Sequence, residues 1–159
     1  MDKKRIDEIK EKAFEIRCLT INEIASFGSG HIGGAMSISD LLALLYFDVM
    51  NVDPKNPGKE DRDRLVVSKG HAGPAVYASL ALKGYFPKEM LSTLNQGGTS
   101  LPSHCDMLKT PGVDFTAGSL GQGFACAAGM ALAAKLGGRD YNVFCARGAG
   151  EGQGGGLWE

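Results

Sequence analysis

Leu65-Val66-Val67-Ser68-Lys69-Gly70-His71-Ala72-Gly73-Pro74 is the stretch that decides the fold. Its short β-branched run reads as a buried strand, and the strand runs into a glycine-bearing loop. Pro74 to Lys83 then reads as a core helix, started by proline and ended at Gly84. Strand, loop and helix in that order form the unit of a doubly wound α/β domain, whose parallel strands need helices on both faces. Tyr141 to Ala146 reads as a second strand, followed by the glycine tract that opens at Gly148. Between the two lies a helix of small residues, Phe124 to Leu136, whose neighbours can approach closely. Only two strands are legible, fewer than such a sheet usually holds. The expectation is one domain over 1–159: an incomplete doubly wound parallel sheet with helices on both faces.

Upstream, Ile6, Ile9, Ala13, Ile16, Thr20 and Ile24 follow helical spacing and predict one long amphipathic helix from about residue 3 to 27. Gly28 and Gly30 stop it and deliver His31. Ser37-Ile38-Ser39-Asp40 reads as a helix start, with Asp40 in the capping position relative to Ser37. The Leu41 to Phe47 run that follows is apolar nearly all round and expects cover on more than one side. Asn51 to Arg64, polar and carrying Pro54 and Pro57, reads as a surface connection, and Pro87-Lys88-Glu89 as the start of a short helix. From Asn95 to about Leu120 no period is sustained, and a loop of that length is more often functional than idle.

Composition narrows the function classes. The 159 residues are 43% hydrophobic, enough for a core, and carry a net charge of −1. The two signs alternate along the chain, so there is no basic stripe for nucleic acid. No apolar run reaches membrane-spanning length, and the charged start MDKKRIDEIKEK reads as helix rather than signal peptide. Cys18, Cys105, Cys126 and Cys145 are scattered, without a CxxC pair, which fits reduced thiols in a cytoplasm.

The chemistry sits at the joints. All three histidines, His31, His71 and His104, stand among small residues rather than inside an apolar period. Glycine beside an imidazole lets backbone approach a ligand closely. The pattern predicts a site shared among several loops. Glycine loops at Gly70, Gly118 to Gly123 and Gly148 offer backbone N–H groups that suit phosphate, particularly where a helix begins. A diphosphate would bring Mg²⁺, which wants a carboxylate at the strand end. After Val143-Phe144-Cys145 the chain offers Ala149 instead, and the nearest carboxylate is Glu151. Gly150 to Gly155 also matches the spacing GxGxxG, a weak signal in so glycine-rich a tract.

Four segments carry a specific resemblance: SGHIGGAMSISDLLALLYF (29–47), VDPKNPGKEDRDRLVVSKGHAGPAVYA (52–78), PSHCDMLKTPGVDFTAGSLGQGFACAAGMALAAKL (102–136) and the closing LWE. In this order they resemble the N-terminal part of transketolase, in particular the N-terminal subunit of its split, two-subunit form. The match runs to about Cys145. The resemblance implies thiamine diphosphate and a divalent metal, Mg²⁺, as cofactors. It implies reversible transfer of a two-carbon ketol unit between sugar phosphates in carbohydrate metabolism, as in the pentose phosphate pathway. It further implies a C-terminal partner subunit, in a hetero-oligomer arranged as a dimer of heterodimers. Relatives on the same cofactor fold, such as deoxyxylulose-phosphate synthase or dihydroxyacetone synthase, fit DMLKTPGVDF less well.

By position, His31 resembles the family histidine at the substrate end of the site, with Ile32 in place of the commoner proline. His71 resembles the one near the diphosphate and the reacting carbon, and His104 the one that binds the donor's terminal hydroxyl. The Gly118 and Leu120 backbones resemble those that hold the aminopyrimidine. Gly148 and Gly150 align with the glycines of a Gly-Asp-Gly metal motif, so Ala149 stands at the metal-ligand aspartate and no metal ligand is assigned. Gly154 replaces a glutamate common at the subunit interface, and Arg147 puts a charge at the strand end. These departures over 147–159, with the family's metal-binding asparagine lying beyond the last residue, lead us to expect a truncated subunit with an altered terminus. Two other readings stand beside the catalytic one: a non-catalytic fragment or pseudo-subunit, and a dinucleotide-binding module using the terminal glycine tract.

Overall fold

The computed structural model describes residues 2–159. Helix α1 spans Lys3–Phe27; Asp2 caps it by accepting the Arg5 N–H at 2.8 Å, and Gly28 ends it at φ 85°, in the left-handed region. A five-residue helix, α2 (Ile32–Met36), follows, then α3 (Ser39–Leu44) and a π-helical turn over Leu45–Val49. Strand β1 (Arg64–Val67) leads through a single 3₁₀ turn, Gly70–Ala72, into α4 (Gly73–Lys83), which Gly84 closes at φ 101°. A 3₁₀ segment covers Lys88–Thr93. After the long loop come α5 (Gln122–Leu136) and β2 (Val143–Ala146).

The two strands pair in parallel, Arg64 opposite Val143 and Val67 opposite Ala146. Period-two alternation sorts β1 between two layers. Leu65 and Val67 join the main core with α1, α3 and α4, whereas Val66, fully buried, lies outside that cluster on the side where α5 packs. Helices therefore cover both faces, as the sequence predicts. The covering is uneven: α4 is buried from Gly73 to Ala81, while α5 buries only Gly123, Ala127 and Ala134 and leaves Leu132 and Leu136 exposed.

The region before β1 departs from expectation. Ser37 does not cap a helix: its hydroxyl donates to the Gly34 carbonyl at 3.0 Å, and α3 starts two residues later with no side-chain cap. α2 takes up part of that stretch, an element that two consecutive glycines hid from any periodicity argument. The run from Leu41 to Phe47 is also covered less than its composition suggests, since Leu42, Ala43, Leu45 and Tyr46 are buried but Leu41 is 41% exposed. No described helix is long and apolar enough to cross a membrane.

Candidate functional site

The three histidines converge. His31 immediately precedes α2, His71 sits in the 3₁₀ turn after β1, and His104 lies on the long loop. Their ring centroids are 5.4 Å apart for His31 and His71, 5.5 Å for His31 and His104, and 6.5 Å for His71 and His104.

Absent side chains make this possible. A Cβ on Gly34 would stand 2.7 Å from His71 Cδ2, so a larger residue there would have to displace the imidazole. A Cβ on Gly70 would overlap the Ala117 carbonyl. The long loop is thus laid directly across the β1–α4 turn. It is held there by the Cys105 N–H donating to the Gly70 carbonyl at 3.3 Å and the Ala117 N–H to the Cys105 carbonyl at 3.3 Å. The buried Tyr77 of α4 orients the same loop, its hydroxyl 2.7 Å from the Pro102 carbonyl and 3.1 Å from that of His104. Lys69, which the sequence reading passed over, ties β1 to the segment after His31: its ammonium donates to the Gly34 carbonyl and to Ser37 Oγ, each at 2.8 Å.

Burial lowers the His71 pKa below its ordinary value, and the neighbouring His31, Lys69 and His104 push it the same way. The imidazole is therefore neutral at pH 7, with one nitrogen able to accept a proton and the other to donate one. Burial likewise lowers the Lys69 pKa, opposed by the nearby Glu151 carboxylate.

The glycine loops behave differently from one another. Ala117 is anchored and buried, but Gly118 and Leu120 just after it are exposed. Gly148 is half-buried and its N–H is already paired, donating to Glu151 Oε2 at 2.9 Å, while Ala149 and Gly150 are exposed. The start of α5 is not an open phosphate cradle, contrary to the expectation from sequence. Glu151, 4% exposed, fills it by accepting the Gly121 N–H at 2.6 Å and the Ser68 hydroxyl. Those hydrogen bonds outweigh burial and hold its carboxyl below the usual range.

A divalent cation finds no fitting donor set here. Ala149 offers no oxygen from its side chain, the Glu151 carboxylate is turned inward with both oxygens hydrogen-bonded, and no group of three His, Cys, Asp or Glu among the described residues could hold a metal. The terminal tract also fails the dinucleotide pattern, because Gly150–Gln153 and Gly155–Leu157 form 3₁₀ turns rather than the start of a helix.

Comparison with known proteins agrees with this geometry. Residues 9–145 match the family model described as transketolase, thiamine diphosphate binding domain. The chain is 55% identical over 159 residues to the 6-deoxy-6-sulfo-D-fructose transketolase subunit SqwG of Clostridium sp. (strain MSTE9), covering all of this chain and 58% of that protein. It is 40% identical over 131 residues to an apulose-4-phosphate transketolase subunit of Phocaeicola vulgatus, covering 82% of this chain and 46% of the relative. The chain thus spans about half the length of these relatives. Among solved structures, transketolase from Leishmania mexicana superposes with a TM-score of 0.87 at 35% identity, over 94% of this chain and 24% of the other. Transketolase from Campylobacter jejuni gives 0.86 at 34% identity, with the same coverage. The loops that gather the three histidines are therefore those of a chain that belongs to the transketolase family, within its thiamine diphosphate binding domain.

Proposed function

We propose that the chain is the N-terminal subunit of a split transketolase, contributing one half of a thiamine diphosphate site completed by a C-terminal subunit. The convergence of His31, His71 and His104 beside the open Gly118–Leu120 backbone carries this reading. The reaction is transfer of a two-carbon ketol unit between sugar phosphates. Because relatives are named for a sulfo-ketose and for apulose 4-phosphate, the substrate class is a ketose with an anionic terminal group. Thiamine diphosphate, when bound, supplies the electron sink for breaking the carbon–carbon bond beside the ketone.

The residues of this chain do the rest. The Gly118 and Leu120 backbones would hold the aminopyrimidine. The exposed Gly150 would meet the diphosphate, with Gly148 beside it held by Glu151. His71, neutral and wedged against Gly34, gives and takes a proton at the substrate oxygen nearest the reacting carbon. His104 hydrogen-bonds the donor's terminal hydroxyl, and the exposed His31 meets the sugar at the outer end. The free thiols of Cys18, Cys105, Cys126 and Cys145 suit a reducing cytoplasm. The assembly expected for such a subunit is a dimer of heterodimers.

A specific observation favours a second reading. Ala149 cannot ligate Mg²⁺ and Glu151 is committed elsewhere, which describes a pseudo-subunit that binds the partner but holds the cofactor poorly. Mixing the chain with the C-terminal subunit of a split relative and titrating thiamine diphosphate with Mg²⁺ by calorimetry, alongside a ketol-transfer assay, separates the two. Binding with turnover supports the catalytic reading. Stable complex formation without cofactor binding supports the pseudo-subunit. Cofactor binding restored by Ala149→Asp would place the difference at that one position.

A further inference from the structure

Glu151 is the sole charged side chain between Gly148 and Gly156, yet it is turned inward and 4% exposed. Its donors arrive from three separate loops. Oε1 accepts the Ser68 hydroxyl at the end of β1 and the Gly121 N–H at 2.6 Å, where α5 begins; Oε2 accepts the Gly148 N–H at 2.9 Å, just after β2. Ser68 extends the arrangement, since its Oγ accepts the Phe124 N–H at 3.0 Å in the first turn of α5. That turn has no side-chain cap of its own, so Ser68 serves as a remote one. Two glycines are required for this geometry. Gly121 stands at φ 90°, and a Cβ on Gly123 would come 2.7 Å from Ser68 Cα. A negative carboxylate here also meets the positive end of a fifteen-residue helix.

We propose that Glu151 is the resident anion of a three-donor nest formed by Ser68, Gly121 and Gly148, and that it is the positioning residue that sets the spacing between the Gly118–Leu120 and Gly148–Gly150 backbones. The role in positioning rests on the cofactor reading above; the nest itself does not. With the nest filled from within, an external phosphate is excluded from the α5 N-terminus, and the diphosphate is left to the exposed side of the same loops. Hydrogen bonds to a charged acceptor are worth more than neutral ones, so one side chain can hold three segments that share no local sequence.

Site-resolved amide exchange on the 159-residue chain tests this, because the two carboxylate oxygens serve different donors. In Glu151→Gln the carbonyl oxygen can keep Ser68 and Gly121, while the new NH₂ faces the Gly148 N–H and cannot accept from it. Exchange at Gly148 should rise by about tenfold or more, with Gly121 little changed. In Glu151→Ala both amides should lose protection, and added formate should restore it by filling the vacated nest, with no effect on the unaltered chain. Equal exchange in all three proteins would overturn the proposal. So would a uniform loss of protection that extends through α1 and α4 in Glu151→Gln, since that marks general destabilisation rather than release of one loop. Should Glu151→Ala fail to fold, the selective pattern in Glu151→Gln decides the matter. A chain that shows this pattern yet binds no thiamine diphosphate with its partner keeps the nest and loses the proposed function.

Discussion

Gly34 is the floor on which His71 rests: a Cβ at that position would stand 2.7 Å from the imidazole Cδ2 and 2.9 Å from Nε2. The missing side chain leaves room for the ring beside His31 and His104. The contact also contributes to the burial that lowers the ring's pKa.

Gly34→Ala should push the imidazole outward and let its pKa climb back toward the ordinary value. In the unaltered chain a lowered folded pKa means that the folded state binds fewer protons than the unfolded one. The stabilising contribution of a neutral His71 is therefore complete at neutral pH. It falls as pH drops through the ordinary histidine range. An NMR titration of the three imidazoles checks both statements. An unmoved His71 titration in Gly34→Ala would show that the contact does not govern it.

His71→Ala and His104→Ala should each lower kcat/KM by at least ~10²-fold in the two-subunit enzyme, the scale of a positioned proton-transferring group. His104→Ala should act mainly through the donor sugar. Because the resemblance puts a metal-ligand aspartate at the position of Ala149, the comparison belongs in a full-length, aspartate-restored background that turns over. Near-native rates for both variants would make these histidines bystanders.

Glu23 is 1% exposed, and neither carboxylate oxygen has a hydrogen-bond partner. Burial pushes its pKa up to about 9. The folded state then holds a proton that the unfolded state releases, so stability is full below pH 4.5 and declines as pH rises towards 9. At pH 7 the cost is about 3 kcal/mol. Denaturant unfolding between pH 5 and 9 should show this slope, and Glu23→Gln should flatten it. A wild-type stability independent of pH over that window, after allowing for His71, would mean that the carboxyl finds a partner.

Ala149 sits exposed in a helical conformation at φ −61° and ψ −45°, which aspartate tolerates. Ala149→Asp by itself should help little, whereas Ala149→Asp joined to a C-terminal extension that carries the family's asparagine should strengthen Mg²⁺-dependent binding of thiamine diphosphate by the two-subunit complex by about 2–4 kcal/mol, the scale of a charged pair regaining its partner. Calorimetry on the unaltered, substituted and extended chains measures it. Micromolar, Mg²⁺-dependent binding by the unaltered chain would show that another oxygen donor replaces the aspartate.

Local sequence determined a good deal. The long first helix, both strands and α4 are written in runs whose period and end signals act within a few residues: Asp2 and Gly28 around α1, Gly84 after α4. The small-residue settings of His31, His71 and His104 likewise predicted loops that share one place, and the structure brings the three rings within 6.5 Å of one another. Tertiary structure alone decided where these groups meet. Parallel strands can pair only across a long connection, so the order of crossovers, invisible to any window of residues, brought three loops together. It also settled the fate of Glu151, which local reading marked only as the carboxylate nearest to Ala149. Its carboxylate instead answers Ser68, 83 residues away, and Gly121, 30 residues away. A buried charge takes the donors that folding brings within reach, and those donors are set by the packing of the whole domain rather than by its neighbours in the chain.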